Sequence, residues 1–145
     1  TCAIHIRGTD FHHWNPSAVL KKEYYHDSIK EVEKETKRFI LLTDDQALNS
    51  FQSVVDYLSN NNIEFSVGRN THNRGHYIGD FSIMSECDTI ISSPSTFCIA
   101  AGFIGKKKKI IHSERWVMDR VEKKDKCWVD LYNGGNEDYK LWRLI

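Results

Sequence analysis

Short apolar runs alternate with longer amphipathic segments over most of this chain. Each run is apolar at nearly every position, which is typical of a strand buried on both faces of a parallel sheet. The longer segments carry apolar residues at roughly helical spacing among charged residues, which indicates helices. The pattern predicts strands at 1–6, 38–43, 64–67, 89–92 and 108–112, and helices at 17–36, 44–58, 77–87 and 96–104.

This regular alternation predicts an α/β fold, a Rossmann-like open parallel sheet of about five strands with helices on both faces. We expect one such domain over residues 1–112. The less regular segment 113–145, with a turn at Gly134 and Gly135, is expected to pack on it as a C-terminal extension. Because the chain begins at Thr1 inside a predicted strand, we expect its natural N-terminus to lie further upstream.

Composition narrows the possible partners. Lysine plus arginine and aspartate plus glutamate both number 20, so the formal net charge is zero. This balance argues against a broad nucleic-acid surface, although it permits one local anion site. No apolar stretch is long enough to span a membrane.

The cysteines bear on the compartment. None forms a Cys-x-x-Cys pair, and most lie in apolar runs, so we expect buried free thiols in a reducing environment. A cytoplasmic location is favoured, and the Golgi or endoplasmic reticulum lumen stays open because we expect the natural N-terminus to lie further upstream. The four residues are Cys2, Cys87, Cys98 and Cys127.

Several common nucleotide and hydrolase motifs are absent. The chain has no Gly-x-Gly-x-x-Gly, no phosphate-binding P-loop and no Gly-x-Ser-x-Gly, which argues against the corresponding oxidoreductases, triphosphatases and hydrolases. The histidine pairs 12–13 and 72/76 lack an accompanying carboxylate or cysteine pattern, so we expect no metal site.

Polar residues follow the predicted strands at their carboxyl ends, where open parallel sheets bind ligands. They come after the first, second and fourth strands and in the loop before the third helix. The set is His5, Arg7, Gly8, Thr9, Asp10, Thr43, Asp44, Asp45, His72, Asn73, Arg74, Ser92, Ser93, Ser95 and Thr96.

Three members of this set, Arg7, Ser95 and Thr96, have the chemistry of a phosphate site. The turn at Ser95 and Thr96 leads into a helix N-terminus, whose free N–H groups attract anions. Arg7, at a strand end, can clamp a phosphate with two parallel hydrogen bonds. The simpler alternatives are that Ser95 only caps its helix and that Arg7 pairs with Asp10. Because both lie at one sheet edge, the combination favours a diphosphate ligand.

Four stretches together resemble a known family. Residues 5–10 (HIRGTD) resemble the His-x-Arg-x-x-Asp signature of the fucosyltransferase superfamily, which includes the α1,2-, α1,6- and protein O-fucosyltransferases. The other stretches are similar to blocks of the α1,2 enzymes, in the same order: Tyr24, Tyr25 and Ile29; residues 40–45 (ILLTDD); and residues 80–97, with Asp80, Met84, Cys87, Asp88 and Ser93 to Phe97.

The resemblance implies that this chain is the C-terminal, donor-binding half of a GT-B fold. It implies inverting transfer of fucose from GDP-fucose to a glycan hydroxyl, without a metal cofactor. The implied partners are the GDP-sugar donor, a glycan acceptor and a missing N-terminal half of the same protein.

The resemblance also implies roles for individual residues. Arg7 would hold the β-phosphate and steady the leaving group, and Asp10 is the nearest candidate base, with orientation of Arg7 as its alternative role. The implied nucleotide-binding residues are His5 beside the nucleotide, Asp80 at the guanine, and Ser95, Thr96 and Phe97 around phosphate and ribose. Thr43 and Asp44, at the end of the second predicted strand, are further candidates for binding the nucleotide.

The departures from the family leave two other functions open. Gly8, Thr9 and Asp10 stand where the α1,2 enzymes have Arg-Gly-Asp and the α1,6 enzymes have Arg-Thr-Asp, so a second arginine is missing. The first alternative is a related transferase that uses another nucleotide sugar. The second is a noncatalytic nucleotide-binding or interaction module that has kept the fold.

Overall fold

The structure is a computed structural model that describes residues 1–11, 18–68, 76–105 and 109–113. In these residues strands and helices alternate along the chain. The strands are β1 (Cys2–Ile6), β2 (Phe39–Thr43), β3 (Phe65–Val67), β4 (Thr89–Ile91) and β5 (Lys109–Ile111). The helices are α1 (Lys22–Val32), α2 (Asn49–Asn60), α3 (His76–Glu86) and α4 (Thr96–Ile104).

The five strands form one open sheet in the order β3-β2-β1-β4-β5, and every neighbouring pair is parallel. The chain builds outward from β1 to β3 and then returns to the other side of β1 to form β4. This reversal leaves a crevice between the carboxyl ends of β1 and β4, which is where doubly wound sheets bind their ligands. The predicted Rossmann-like α/β fold is confirmed.

Helices cover both faces of the sheet because β1 is apolar on both of its sides. Cys2, Ile4 and Ile6 belong to the core cluster under α1 and α2. Ala3 points the other way, into the cluster under α3 and α4. All five residues of β1 are buried, and each buried isoleucine contributes about 1.5–3 kcal/mol relative to exposure. The remaining residue, His5, is polar.

The first helix is shorter than the predicted 17–36. Helix α1 covers only Lys22–Val32, and Lys21 before it is extended. At the other end, the backbone N–H groups of Glu35 and Thr36 bond to carbonyl groups three residues back, in turns. The reason is that short helices depend on packing of an apolar face, and 33–36 offers no apolar side chain.

The predicted start of the second helix was also wrong. Asp44 and Asp45 do not open α2, which begins at Asn49. The Asp44 carboxylate instead accepts hydrogen bonds from the loop after β1, and the Asp45 carboxylate accepts one from the backbone N–H of Ala47 at 2.8 Å. Both acids therefore satisfy loop N–H groups rather than the end of a helix.

The last helix and the buried thiols agree with prediction. Helix α4 has the predicted bounds, with Gly105 as its C-cap. Cys2, Cys87 and Cys98 are buried free thiols, while Cys127 lies outside the described residues. Apart from Ser113, the predicted extension 113–145 also lies outside them. In the described part of the chain, no helix has the length and apolar character needed to cross a bilayer.

Candidate functional site

Buried polar side chains are concentrated at the carboxyl edge of the sheet. Eight buried residues of the described chain are polar or charged, and all but Ser28 of α1 lie at or just beyond a strand's carboxyl end. Because parallel strands end at the same edge, these side chains gather along one rim of the domain. They are His5, Thr43, Ser92, Ser93, Ser95, His112 and Ser113.

Arg7 lies immediately after β1 and pairs with Asp10. Its Nε and Nη2 atoms donate to the two carboxylate oxygens of Asp10 at 3.1 and 2.7 Å. This pairing raises the pKa of Arg7 and lowers the pKa of Asp10. The guanidinium also lies over the Phe11 ring, 5.1 Å from its centroid. A guanidinium has five N–H groups, and Asp10 accepts from two of them.

Asp44 holds the loop between Arg7 and Asp10. Its carboxylate accepts from the backbone N–H of Gly8 at 3.2 Å and from the Thr9 hydroxyl at 2.6 Å. It also lies 3.9 Å from Nε of Arg7. Asp44 thus contacts the loop itself in this structure and fixes where Arg7 emerges.

Thr43, the last residue of β2, uses its hydroxyl within its own turn. That oxygen donates to the carbonyl of Asp45 at 3.0 Å and accepts from the Asp45 backbone N–H at 3.1 Å. The residue is buried, so its described role is to shape the turn that carries Asp44.

His5 lies one strand position before the end of β1 and faces the α4 side. Its Nδ1 atom is 2.6 Å from the Ser93 hydroxyl, and its ring centroid is 6.0 Å from that of Phe97. Burial, helped by the positive charge of Arg7, lowers the pKa of His5 to about 4. The imidazole is therefore neutral at physiological pH.

The start of α4 meets this histidine from the end of β4. Ser95 is the N-cap, and its side chain accepts from the backbone N–H of Phe97 at 3.3 Å. Thr96 is exposed, while Phe97 is half-buried against the Phe81 ring at 5.4 Å. The capping role left open for Ser95 is present, and the other free N–H groups of a first helical turn still favour anions.

Asp80, the residue proposed for the guanine, lies elsewhere on the same edge. Its Oδ1 atom is 3.8 Å from where a Cβ on Gly68 would sit, and Gly68 follows β3. Strands lie about 5 Å apart and β3 is three strands away from β4, so the end of β3 is roughly 15 Å from the end of β4. His72, Asn73 and Arg74 lie outside the described residues.

Sequence reasoning missed His112, which follows β5 and belongs to the same rim. Its Nδ1 atom lies 3.4 Å from the Ser92 hydroxyl, and burial lowers its pKa to about 4. The Ser92 hydroxyl donates to the carbonyl of Ser93. The sequence did contain a signal for it, because His112 lies at the carboxyl end of a predicted strand, as several of the other rim residues do.

No metal-type cluster is gathered in the described ranges, meaning three or more histidine, cysteine, aspartate or glutamate side chains in ligating positions. The charged groups at the end of β1 are instead one arginine and two carboxylates. An anion there would contact the remaining guanidinium N–H groups, the helix N-terminus and neutral donors, which are the usual contacts of a phosphate.

Comparison of the chain with protein-family models, with curated proteins and with solved structures found no match. The fold defines the class of the described part, a Rossmann-like α/β domain with an open parallel sheet. Because this class supports many functions, the assignment of a function depends on the chemistry of the site.

Proposed function

We propose that this chain is the donor-binding domain of an inverting glycosyltransferase and that its donor is GDP-fucose. The observation that carries the proposal is the contact of buried His5 with Ser93, just before α4 at the β1–β4 crevice, with Arg7 two residues after His5 at the end of β1. The Arg7 cation, the neutral His5 imidazole and the N-terminus of α4 are all groups that can bind a diphosphate. The choice of fucose and guanine is supported by the resemblance to fucosyltransferases over residues 5–97.

In the proposed reaction, Arg7 stabilises the diphosphate as it leaves the sugar. The negative charge on the β-phosphate grows as the glycosidic bond breaks, and a guanidinium already in place counters it without the help of a metal ion. Arg7 is only partly exposed, with 35% of its side chain accessible, which strengthens the interaction relative to bulk water.

The acceptor hydroxyl needs a base, and Asp10 is the nearest candidate. While it pairs with Arg7, the pKa of Asp10 is lowered, which makes it a weak base. When the diphosphate takes over the guanidinium, that pairing weakens, and the carboxylate becomes more basic. Asp10 therefore orients Arg7 in the free protein and accepts the proton once the donor is bound.

Calorimetric titration with GDP, GDP-fucose, UDP and ADP in the presence of a chelator tests the proposal. GDP and GDP-fucose are expected to bind, and UDP and ADP at least ~10-fold more weakly. Tight UDP binding without a GDP response would overturn the fucose assignment and favour another nucleotide sugar. A chain that binds none of the four is not a donor domain.

A noncatalytic module is distinguished by turnover. The natural full-length protein, supplied with GDP-fucose and glycan acceptors, is expected to release GDP and form a fucosylated product. If the protein binds GDP but releases no GDP from GDP-fucose with any acceptor, the domain has a nucleotide site but does not catalyse the transfer.

A further inference from the structure

Three buried side chains form a row beneath the end of β1. Nδ1 of His5 is 2.6 Å from the Ser93 hydroxyl oxygen, which in turn lies 3.9 Å from the Cys98 sulfur. Ser93 and Cys98 are completely buried, and His5 is 7% exposed. The row joins β1 to the first turn of α4.

Cys98 and His5, the two ends of the row, are both uncharged at neutral pH. Burial raises the pKa of the Cys98 thiol to about 11, so the sulfur carries its hydrogen at neutral pH. Burial and Arg7 keep His5 neutral, so its ring carries one hydrogen, on either Nδ1 or Nε2. Which nitrogen holds it depends on whether the Ser93 hydroxyl donates or accepts.

The distances favour one direction of donation. If Nδ1 held the hydrogen, the remaining side-chain contact of the Ser93 hydroxyl among the described residues would be the Cys98 sulfur, a weak acceptor at the long distance of 3.9 Å. In the other direction, the hydroxyl donates to an imidazole nitrogen at 2.6 Å, a stronger acceptor, and the thiol donates to the hydroxyl. The Ser92 hydroxyl is already committed to the carbonyl of Ser93.

We infer that Ser93 is a positioning residue: its hydroxyl donates to Nδ1 of His5 and holds the imidazole as the Nε2–H tautomer, a neutral hydrogen-bond donor for the diphosphate. The tautomer follows from the three-residue row alone, whereas the role toward the diphosphate rests on the proposed function. A nitrogen that already carries hydrogen cannot accept a proton from an acceptor hydroxyl, so His5 is a donor to the ligand and not the base.

Nitrogen-15 NMR of the histidine rings in the full chain, at pH 7, tests the tautomer directly. Two-bond proton–nitrogen correlations are expected to show His5 with hydrogen on Nε2 and none on Nδ1. Ser93→Ala should change the His5 pattern toward mixed tautomers. The matched control is Ser92→Ala, an adjacent and equally buried hydroxyl with no hydrogen bond to His5, which should leave that pattern unchanged.

A wild-type spectrum with hydrogen on Nδ1 of His5 overturns the inference, whether or not the Ser93 variant folds. A Ser93→Ala protein that folds and keeps the pure Nε2–H pattern also overturns it, because Ser93 would then not be what holds the tautomer.

The role toward the ligand is tested by GDP affinity. Ser93→Ala, with its fold verified by the amide spectrum, is expected to bind GDP about 10-fold more weakly, the size of effect of one misdirected hydrogen bond to a charged group. An affinity within about 2-fold of wild type overturns this role. Wild-type protein that does not bind GDP at all refutes the proposed function instead, while the NMR result still decides the tautomer.

Discussion

The polar contacts differ between the two ends of the parallel strands. At the amino edge, where the strands begin, charged side chains pair on the surface, as in Arg38 with Glu64 and the N-terminus of Thr1 with Asp88. At the carboxyl edge, histidine, serine and threonine side chains are buried and bonded to one another or to backbone. Arg7 with Asp10 and Asp44 provides the charge there.

The carboxyl edge therefore holds the polar groups that are costly to bury unless they are hydrogen-bonded. Exposed ion pairs contribute about 0–1 kcal/mol each and replace contacts with water. A buried polar group costs about 1–3 kcal/mol wherever its hydrogen bonds are incomplete, so it is kept mainly where it has a use. The carboxyl edge is also where open parallel sheets bind ligands.

The carboxyl edge should make the fold sensitive to acid. Burial lowers the pKa of His5 and His112 from 6.5 to about 4, so between these values the unfolded chain binds protons that the folded chain does not. Stability is complete above pH 6.5 and falls as the pH decreases, by about 2 kcal/mol per histidine between pH 7 and 5. Urea unfolding at several pH values measures this, and His112→Gln should remove about half of the decrease. Equal stability at pH 7 and 5 would contradict the burial of neutral histidines.

Arg7→Ala should weaken GDP binding roughly 100-fold, because it leaves the two nearby carboxylates without a counter-charge facing the diphosphate. Arg38→Ala is the matched control, since it removes an arginine with a similar carboxylate partner at the amino edge. Calorimetry should find its GDP affinity unchanged. Similar losses for both variants would indicate a general charge effect rather than a site.

Alanine substitutions at two glycines test how tightly the helices α3 and α4 are packed, since Gly102 lies in a crowded position and Gly79 in an open one. A Cβ on Gly102 would overlap Cδ1 of buried Ile110, so Gly102→Ala should destabilise the fold by about 1–2 kcal/mol through overpacking. A Cβ on Gly79 meets nothing within 4 Å, so Gly79→Ala should stabilise α3 by about 0.5–1 kcal/mol. Denaturation midpoints measure both, and changes of the same sign would contradict the packing described.

The smallest expected effect separates the two nitrogens of His5. The side-chain amide of glutamine reaches the position of Nε2 of His5, whereas the shorter side-chain amide of asparagine reaches only the position of Nδ1. His5→Gln should therefore keep GDP affinity within about 3-fold, and His5→Asn should lose about 10-fold. Calorimetry compares the two, and the reverse order would mean that Nδ1, not Nε2, faces the ligand.

The strands could be predicted because a central parallel strand is buried on both faces and its sequence is therefore a continuous apolar run. Residues 39–43 are buried or nearly so throughout, as the run predicted. Helix α4 was equally readable, since Ser95 caps its start and Gly105 closes its end. In these cases the determining contacts lie within a few residues of the element itself.

The parts that could not be predicted depend on contacts distant in sequence. Asp44 does not open α2 because its carboxylate bonds to Gly8 and Thr9, more than thirty residues earlier. The role of His112 depends on the pairing of β5 with β4, which brings it to Ser92. By contrast, the pairing of Arg7 with Asp10 is local, and the sequence already suggested it as an alternative to phosphate binding.

Titration of the backbone amide NMR spectrum with GDP tests directly whether the protein has a diphosphate site at the β1–β4 crevice. We expect the largest shifts at the carboxyl edge, in Gly8, Thr9 and residues 95–97, while Arg38, Glu64 and Asp88 at the amino edge stay unchanged. Shifts centred on the amino edge, or a spectrum unaffected by millimolar GDP, would contradict a diphosphate site at the β1–β4 crevice.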